Sequence, residues 1–278
     1  MTAWPDRLCL HSDDPATRED LTAAAERLGL SVTLLSGDPA LFARECAGVG
    51  RSAVRAPGGL VAAASRTGAR TDLCGPTPAW FVGIDPEVTG RRWDLLAVAD
   101  ALRLLESRPA FVKLPDAKVR SFPARVHQTP RTLRDAVSTL RDASRVRLLV
   151  TTGLLAIESE YRVFTRGGSA LTVSPYLVEG EPWGPLLRTH RASFHAEALA
   201  FVADVLSSLH PDDVPPAAAL DVARLADGHL VLLEANQAWA AGLYGCGPDE
   251  ALAAVLTAND PRSAGPDGRW RWVPDAGT

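Results

Sequence analysis

The stretch LDVARLADGHLVLLEANQAWAAGLYG, residues 220–245, carries two carboxylates and an amide at a spacing that can do chemistry. Asp227-Gly228 separates two apolar runs, and Asp-Gly in that setting signals a two-residue hairpin turn. Counting outward from that turn sets Leu225 opposite Leu230, Ala223 opposite Leu232 and Asp221 directly opposite Glu234. Asn236 follows Glu234 on the same face by the two-residue strand period. Like charges directly opposite on paired strands repel, and both faces of this hairpin are mostly apolar, so the pair needs compensation. A hard divalent cation supplies it economically: Mg²⁺ accepts one or two carboxylates and leaves its other positions to water and phosphate oxygens. Two alternatives stand beside this one. The carboxylates sit at an exposed strand end, or one of them is protonated.

A second group of candidates is basic. Phe111-Val112-Lys113 puts a lysine at the end of an apolar strand, and Lys118 follows in the loop PDAKVRSFPARV before another short strand. Lysines so placed suit oligophosphate, whereas a single one also fits a side chain that snorkels to the surface. In Glu158-Ser159-Glu160-Tyr161-Arg162-Val163-Phe164 the strand period puts Glu160 and Arg162 on one face and Tyr161 and Val163 on the other. Such a pair is either a solvated face or part of a site. No protein nucleophile is apparent, because the serines and cysteines lack a recognisable histidine partner.

Taken in order, these segments resemble the ATP-grasp superfamily. Asp, a hairpin, then Glu-x-Asn resembles its metal-binding hairpin. DVA..DG...LLEAN....AGLYG looks most like the clade named after two arginines and one lysine. FVKLPDAKVRSFPARV resembles the segment whose strand-end lysine contacts nucleotide phosphates under a flexible loop, although this loop has no glycine and Leu114 precedes Pro115. E-Y-R-V-F resembles the strand whose arginine approaches those phosphates. The resemblance implies an α+β fold of ATP-grasp type: an N-terminal α/β pre-ATP-grasp subdomain over residues 1–85, a small subdomain over 86–150, and a large one with a C-terminal tail over 151–278. The last two clamp the nucleotide.

It further implies Lys113, Lys118, Glu160 and Arg162 at ATP, Arg162 also as the catalytic residue, and Mg²⁺ on Asp221, Glu234 and Asn236. The reaction implied is ligation of a small-molecule or peptide carboxylate to an amine through an acyl phosphate. Two rivals use the same parts: a phosphotransferase, and a non-catalytic module that binds nucleotide or a partner.

The supporting elements follow from pattern. Arg7 to Ser12 alternates as a strand, Asp14-Pro15 opens a helix that Gly29 ends, Ser31 to Leu35 is the next strand, and Asp38-Pro39 opens the next helix. This βαβα order implies a parallel sheet, without a GxGxxG fingerprint. Pro57 to Gly59 reads as a turn and 68–90 as a loop-rich boundary. Trp93 to Leu105 and Arg131 to Ala143 read as helices, Arg147 to Val150 as a buried strand, and Thr165 to Gly168 as a hairpin turn into Ala170 to Val178. Ser193 to Leu209 and Pro248 to Leu256 are the last helices, and Trp270 and Trp272 dock the tail by alternating onto one face.

At 278 residues, 46% hydrophobic and 22% charged, the chain has an ordinary globular balance. A net charge of -4 without basic, aromatic-interleaved runs excludes a general nucleic-acid surface. With no leader-like start and no membrane-length apolar run, the expectation is a cytoplasmic protein. Its four cysteines are scattered, which argues against zinc and a disulfide framework and for buried thiols.

Overall fold

The computed structural model describes residues 5–47, 52–69, 72–115, 121–140, 142–178, 181–182 and 192–274. It divides into two compact units, one of Met1–Pro76 with Ile157–Trp272 and the other of Thr77–Ala156 with Val273–Thr278.

The first unit begins with strands β1 (Arg7–Leu10), β2 (Ser31–Leu34) and β3 (Ser52–Arg55), all parallel in the order β2-β1-β3. Helix α1 (Pro15–Arg27) starts where the Asp14 carboxylate accepts from the Ala16 and Thr17 amides, and α2 (Pro39–Cys46) starts at Asp38 in the same way. Gly29, at φ 74°, takes the left-handed position past the end of α1. Pro57 to Gly59, expected as a turn, instead opens helix α3 (Gly58–Arg66). The apolar run after the two glycines packs Val61, Ala62 and Ala64 inward, and that burial overrides the poor helix propensity of glycine.

The second unit contains helices α4 (Pro78–Val82) and α5 (Pro86–Thr89), strand β4 (Asp94–Ala97), helix α6 (Val98–Leu104), strands β5 (Ala110–Lys113) and β6 (Arg125–His127), helix α7 (Pro130–Val137) and strand β7 (Arg147–Thr151). Two prolines in the stretch expected to be loop, Pro78 and Pro86, occupy first helical turns behind Thr77 and Asp85 caps. The front of the helix expected from Trp93 is strand β4, antiparallel to β7, so the helix runs only over α6. Leu95 and Leu96 sit in an apolar run that fits either period, and pairing with β7 decided it. Helix α7 stops at Val137, short of the expected Ala143, and a single 3-10 turn over Ala143–Arg145 precedes β7. The sheet order is β4-β7-β5-β6.

The chain then returns to the first unit through β8 (Ile157–Arg166), β9 (Ser169–Val178), β10 (Glu181–Pro182), α8 (Ala192–Ser208), β11 (Ala217–Leu225), β12 (Leu230–Asn236) and α9 (Pro248–Ala258). These strands form one antiparallel sheet in the order β10-β9-β8-β11-β12. One core joins the two sheets of this unit, running from Leu8, Leu10 and Phe42 to Phe164, Trp239, Leu252 and Val255. The tail is docked as expected: Trp270 is buried, and Trp272 meets Trp239 edge-on at 4.9 Å.

The hairpin differs from its expected form in a way that leaves its end unchanged. Leu225 pairs with His229, not Leu230, because the loop has three residues, Ala226 to Gly228, with the Gly228 amide donating to the Leu225 carbonyl at 2.9 Å and Gly228 at φ 90°. Arg224 therefore faces Leu230 and Ala223 faces Val231, one step from the count. A bulge between Val222 and Asp221, in which Leu233 is the extra residue, restores the step, and Asp221 faces Glu234. Among the described residues no helix is long and apolar enough to cross a membrane.

Candidate functional site

Four positions line up across the large sheet. Ser174 on β9 pairs with Arg162 on β8, Arg162 with Asp221 on β11, and Asp221 with Glu234 on β12. Directly paired residues share a face, so this row carries polar side chains across the middle of the sheet. Strand β11 lies inside the sheet between β8 and β12, and Ala217 to Ala223 are all buried. A carboxylate there must be paired or it costs several kcal/mol. The sequence supplies the partner from the neighbouring strand: Arg162, itself set between buried Tyr161 and Val163.

The contact is a two-pronged fork. Arg162 Nε donates to Asp221 Oδ1 at 2.8 Å and Nη2 to Oδ2 at 2.7 Å, with side-chain exposures of 3% and 0%. Arg162 Nη1 donates to the Gly242 carbonyl at 3.2 Å. Burial works against the guanidinium charge, but the Asp221 carboxylate outweighs it and holds the arginine above its ordinary value. Two tyrosines complete the setting. Tyr176 and Tyr244 stack at 5.1 Å between centroids, and Arg162 Cζ lies 5.5 and 4.8 Å from their rings. The Tyr176 hydroxyl donates to Glu160 Oε2, which is where the second expected nucleotide residue on this strand sits. Burial, then the Asp221 and Glu160 carboxylates, raise the Tyr176 phenol well above its usual range.

At the strand end, Asn236 Nδ2 donates to Asp221 Oδ2 at 3.1 Å and to Glu234 Oε2 at 3.3 Å. Thus Glu160, Arg162, Asp221, Glu234 and Asn236 occur on one sheet face within one unit. Lys113 ends β5 in the other unit, buried, with Nζ 5.4 Å from the Trp93 ring and 5.9 Å from Phe81. Lys118 lies outside the described residues.

The sequence reading missed two residues beside this face. Tyr244 has a left-handed backbone at φ 51°, uncommon for a tyrosine, and its carbonyl accepts from the Ser174 hydroxyl. Arg55, at the carboxyl end of β3, donates to the His11 carbonyl at 2.6 Å and to the Ala241 carbonyl at 2.9 Å. Burial lowers it to about 10 despite the attraction of Asp14, and Arg162 adds repulsion. Two buried arginines thus hold successive carbonyls, Ala241 and Gly242, of the loop after β12. An arginine closing an apolar parallel strand was the available signal for the first of them.

A family model of the ATP-grasp domain, family 2 of the clade named after two arginines and one lysine, matches residues 89–254, more than half of the chain. The chain belongs to that family. ATP-grasp enzymes are ATP-dependent ligases that use ATP and Mg²⁺, and this chain is one of them. Among solved structures it is similar to the ADP complex of an N5-carboxyaminoimidazole ribonucleotide synthetase, with 12% identity and a TM-score of 0.56 over 92% of this chain and 79% of that one. A carboxyaminoimidazole ribonucleotide synthase from Aspergillus clavatus complexed with ATP gives 12% identity and 0.52 over 93% and 78%. An N5-carboxyaminoimidazole synthetase from Staphylococcus aureus gives 10% and 0.50 over 90% and 76%. At these identities the likeness establishes the α+β ATP-grasp fold alone. No curated protein matches the chain.

The row can be tested as a magnesium site on its donor chemistry. Asp221, Glu234 and Asn236 offer hard oxygen donors on one face, and Asp221 already holds a cation through both oxygens, with Arg162 as a stand-in for a metal. The residues therefore fit the ion. Among the described residues no three His, Cys, Asp or Glu side chains form a metal cluster.

Proposed function

We propose that the protein joins a carboxylate to an amine through an acyl phosphate. The observation that carries this reading is the polar row Arg162, Asp221, Glu234, completed by Asn236, on one sheet face of an ATP-grasp chain. The named synthetases on the same fold support it by analogy of fold.

In the first step a carboxylate oxygen of the substrate bonds to the γ-phosphorus of ATP as the bond to the β,γ-bridging oxygen breaks, and ADP departs. In the second the amine nitrogen bonds to the acyl carbon, phosphate leaves with the carbon–oxygen electron pair, and the amine proton is lost. Neither step needs a protein nucleophile. The protein's work is to place the reactants, exclude water and balance phosphate charge. Lys113 is assigned to the nucleotide phosphates, where an ammonium on a strand end acts as a point charge. Lys118 and Glu160 are assigned to the nucleotide with it. Asp221, Glu234 and Asn236 are assigned to Mg²⁺, which when bound neutralises the phosphate oxygens. Arg162 positions Asp221 and itself turns to phosphate.

Hydroxylamine in place of the amine tests the route. Formation of an acyl hydroxamate with stoichiometric ADP supports it. Release of AMP, or of a stable phosphorylated product that hydroxylamine does not intercept, refutes it.

A further inference from the structure

Arg162 and a metal ion compete for the same carboxylate. Both Asp221 oxygens are held in a guanidinium fork at 2.8 and 2.7 Å, and Oδ2 also accepts from Asn236, so a divalent cation there meets a buried like charge and few remaining lone pairs, and binding it favours opening the fork. Opening it with nothing in exchange would leave a buried guanidinium without its counter-ion, a costly state. A phosphate oxygen is the natural replacement, since it accepts the same planar donors.

We propose that Arg162 is an exchangeable counter-ion. It neutralises Asp221 in the empty molecule and leaves it when a divalent cation binds there, so the metal position is masked until an anionic ligand gives the arginine a new partner. This rests on the reading of Asp221 as part of a metal and nucleotide site.

The surroundings of Arg162 suit such a role. Its guanidinium does not depend on Asp221 alone, because the Gly242 carbonyl and the faces of Tyr176 and Tyr244 also hold it. Those contacts keep the cation nearby when the carboxylate turns away. Solvent reaches the outer side of this nest, where Tyr244 is 46% exposed. Asn236 is placed to help: its amide nitrogen now serves both Asp221 and Glu234, and a half-turn of the amide offers Oδ1 in its place.

The test needs no turnover, so it stands apart from the ligase reading. Nucleotide-free protein is titrated with Mn²⁺ and followed by electron paramagnetic resonance, for the wild type, Arg162→Met and Arg162→Lys. Without the competing guanidinium, Arg162→Met binds Mn²⁺ at least about tenfold more tightly than wild type. Mg²⁺ raises its melting temperature, while leaving that of the nucleotide-free wild type unchanged. Arg162→Lys, which keeps the charge and loses the fork, falls between them. Folded Arg162→Met with wild-type or weaker Mn²⁺ affinity overturns the proposal. If Arg162→Met does not fold without metal, an Arg162→Lys affinity no tighter than wild type overturns it equally. A second readout is direct. The chain has three tyrosines, so 3-fluorotyrosine labelling gives three ¹⁹F signals. Mg²⁺ with a non-hydrolysable ATP analogue shifts those of Tyr176 and Tyr244, whose rings flank Arg162, and leaves Tyr161 on the opposite face unchanged; an unshifted pair contradicts the exchange.

Discussion

Replacing Asp221 by asparagine preserves the shape of the side chain and removes its charge, so it isolates what the ion pair contributes to the fold. Arg162 would stay buried among Tyr176, Tyr244 and the Gly242 carbonyl with its counter-ion gone. Breaking one side of a buried pair typically costs about 3–5 kcal/mol. The asparagine oxygen still accepts one bond from the fork, which returns about 1 kcal/mol. The rings and the carbonyl act in both proteins and cancel. The net loss is about 3 kcal/mol, and at about 2–4 °C per kcal/mol for a chain of this size the melting temperature falls by about 6–12 °C. Calorimetry and urea titration of metal-free protein measure it. A double-mutant cycle with Arg162→Met adds a check, because the pair should show a coupling of at least about 2 kcal/mol. A loss below about 1 kcal/mol for Asp221→Asn, or additive single mutants, would refute the reasoning, since a stranded buried charge cannot be that cheap.

Three further outcomes follow from the same geometry. Glu234→Gln should spare the metal-free fold, because Arg162 already meets the Asp221 charge, and should abolish turnover; a large drop in melting temperature with normal turnover would sink the metal assignment. Lys113→Ala removes a charge-assisted contact of about 1.5–3 kcal/mol and should weaken ATP binding by about one to two orders of magnitude in a calorimetric titration, so unchanged affinity rules out the phosphate role. His127 is buried against Phe122, and burial followed by the Arg125 charge pushes it below its ordinary value. Its neutral form is favoured in the fold, so the unfolded chain binds more protons. Stability is therefore lost as pH falls below about 6.5, by at most about 1.4 kcal/mol per pH unit for this group, and His127→Phe should flatten melts taken across that range.

Local pattern made most elements legible. Asp14-Pro15 and Asp38-Pro39 marked two helix starts to the residue, because a cap and a first-turn proline act within a few residues of chain. The register of β11 on β12 was reached by two compensating departures, a loop one residue longer than counted and a bulge at Leu233. Asp221 faces Glu234 in both accounts, since apolar alternation on a buried interior strand tolerates a local slip only if a second one corrects it. Where two periods fit equally, as at Leu95 and Leu96, sequence alone could not decide, and β7, some fifty residues away, did.

The same nonlocality explains what the reading of the site lacked. Its count paired two carboxylates within one hairpin and therefore demanded a cation. The cation that the fold provides comes from β8, and only the register of β8 on β11 brings Arg162 to Asp221. Yet each residue carried half of the signal. Arg162 lies among Tyr161, Val163 and Phe164, and Asp221 among Leu220, Val222 and Ala223, all buried. A charge in the middle of an apolar strand needs a partner at the same depth, and opposite charges on two such strands satisfy one another only if the strands are neighbours. That places β8 beside β11 from the energetics of two buried charges, before any pairing is observed. It also explains why the site is built in the sheet rather than on its loops. A guanidinium fork fixed by two strands and two aromatic faces holds Asp221 in one geometry, and the proposed exchange with a metal would start from that preorganised carboxylate.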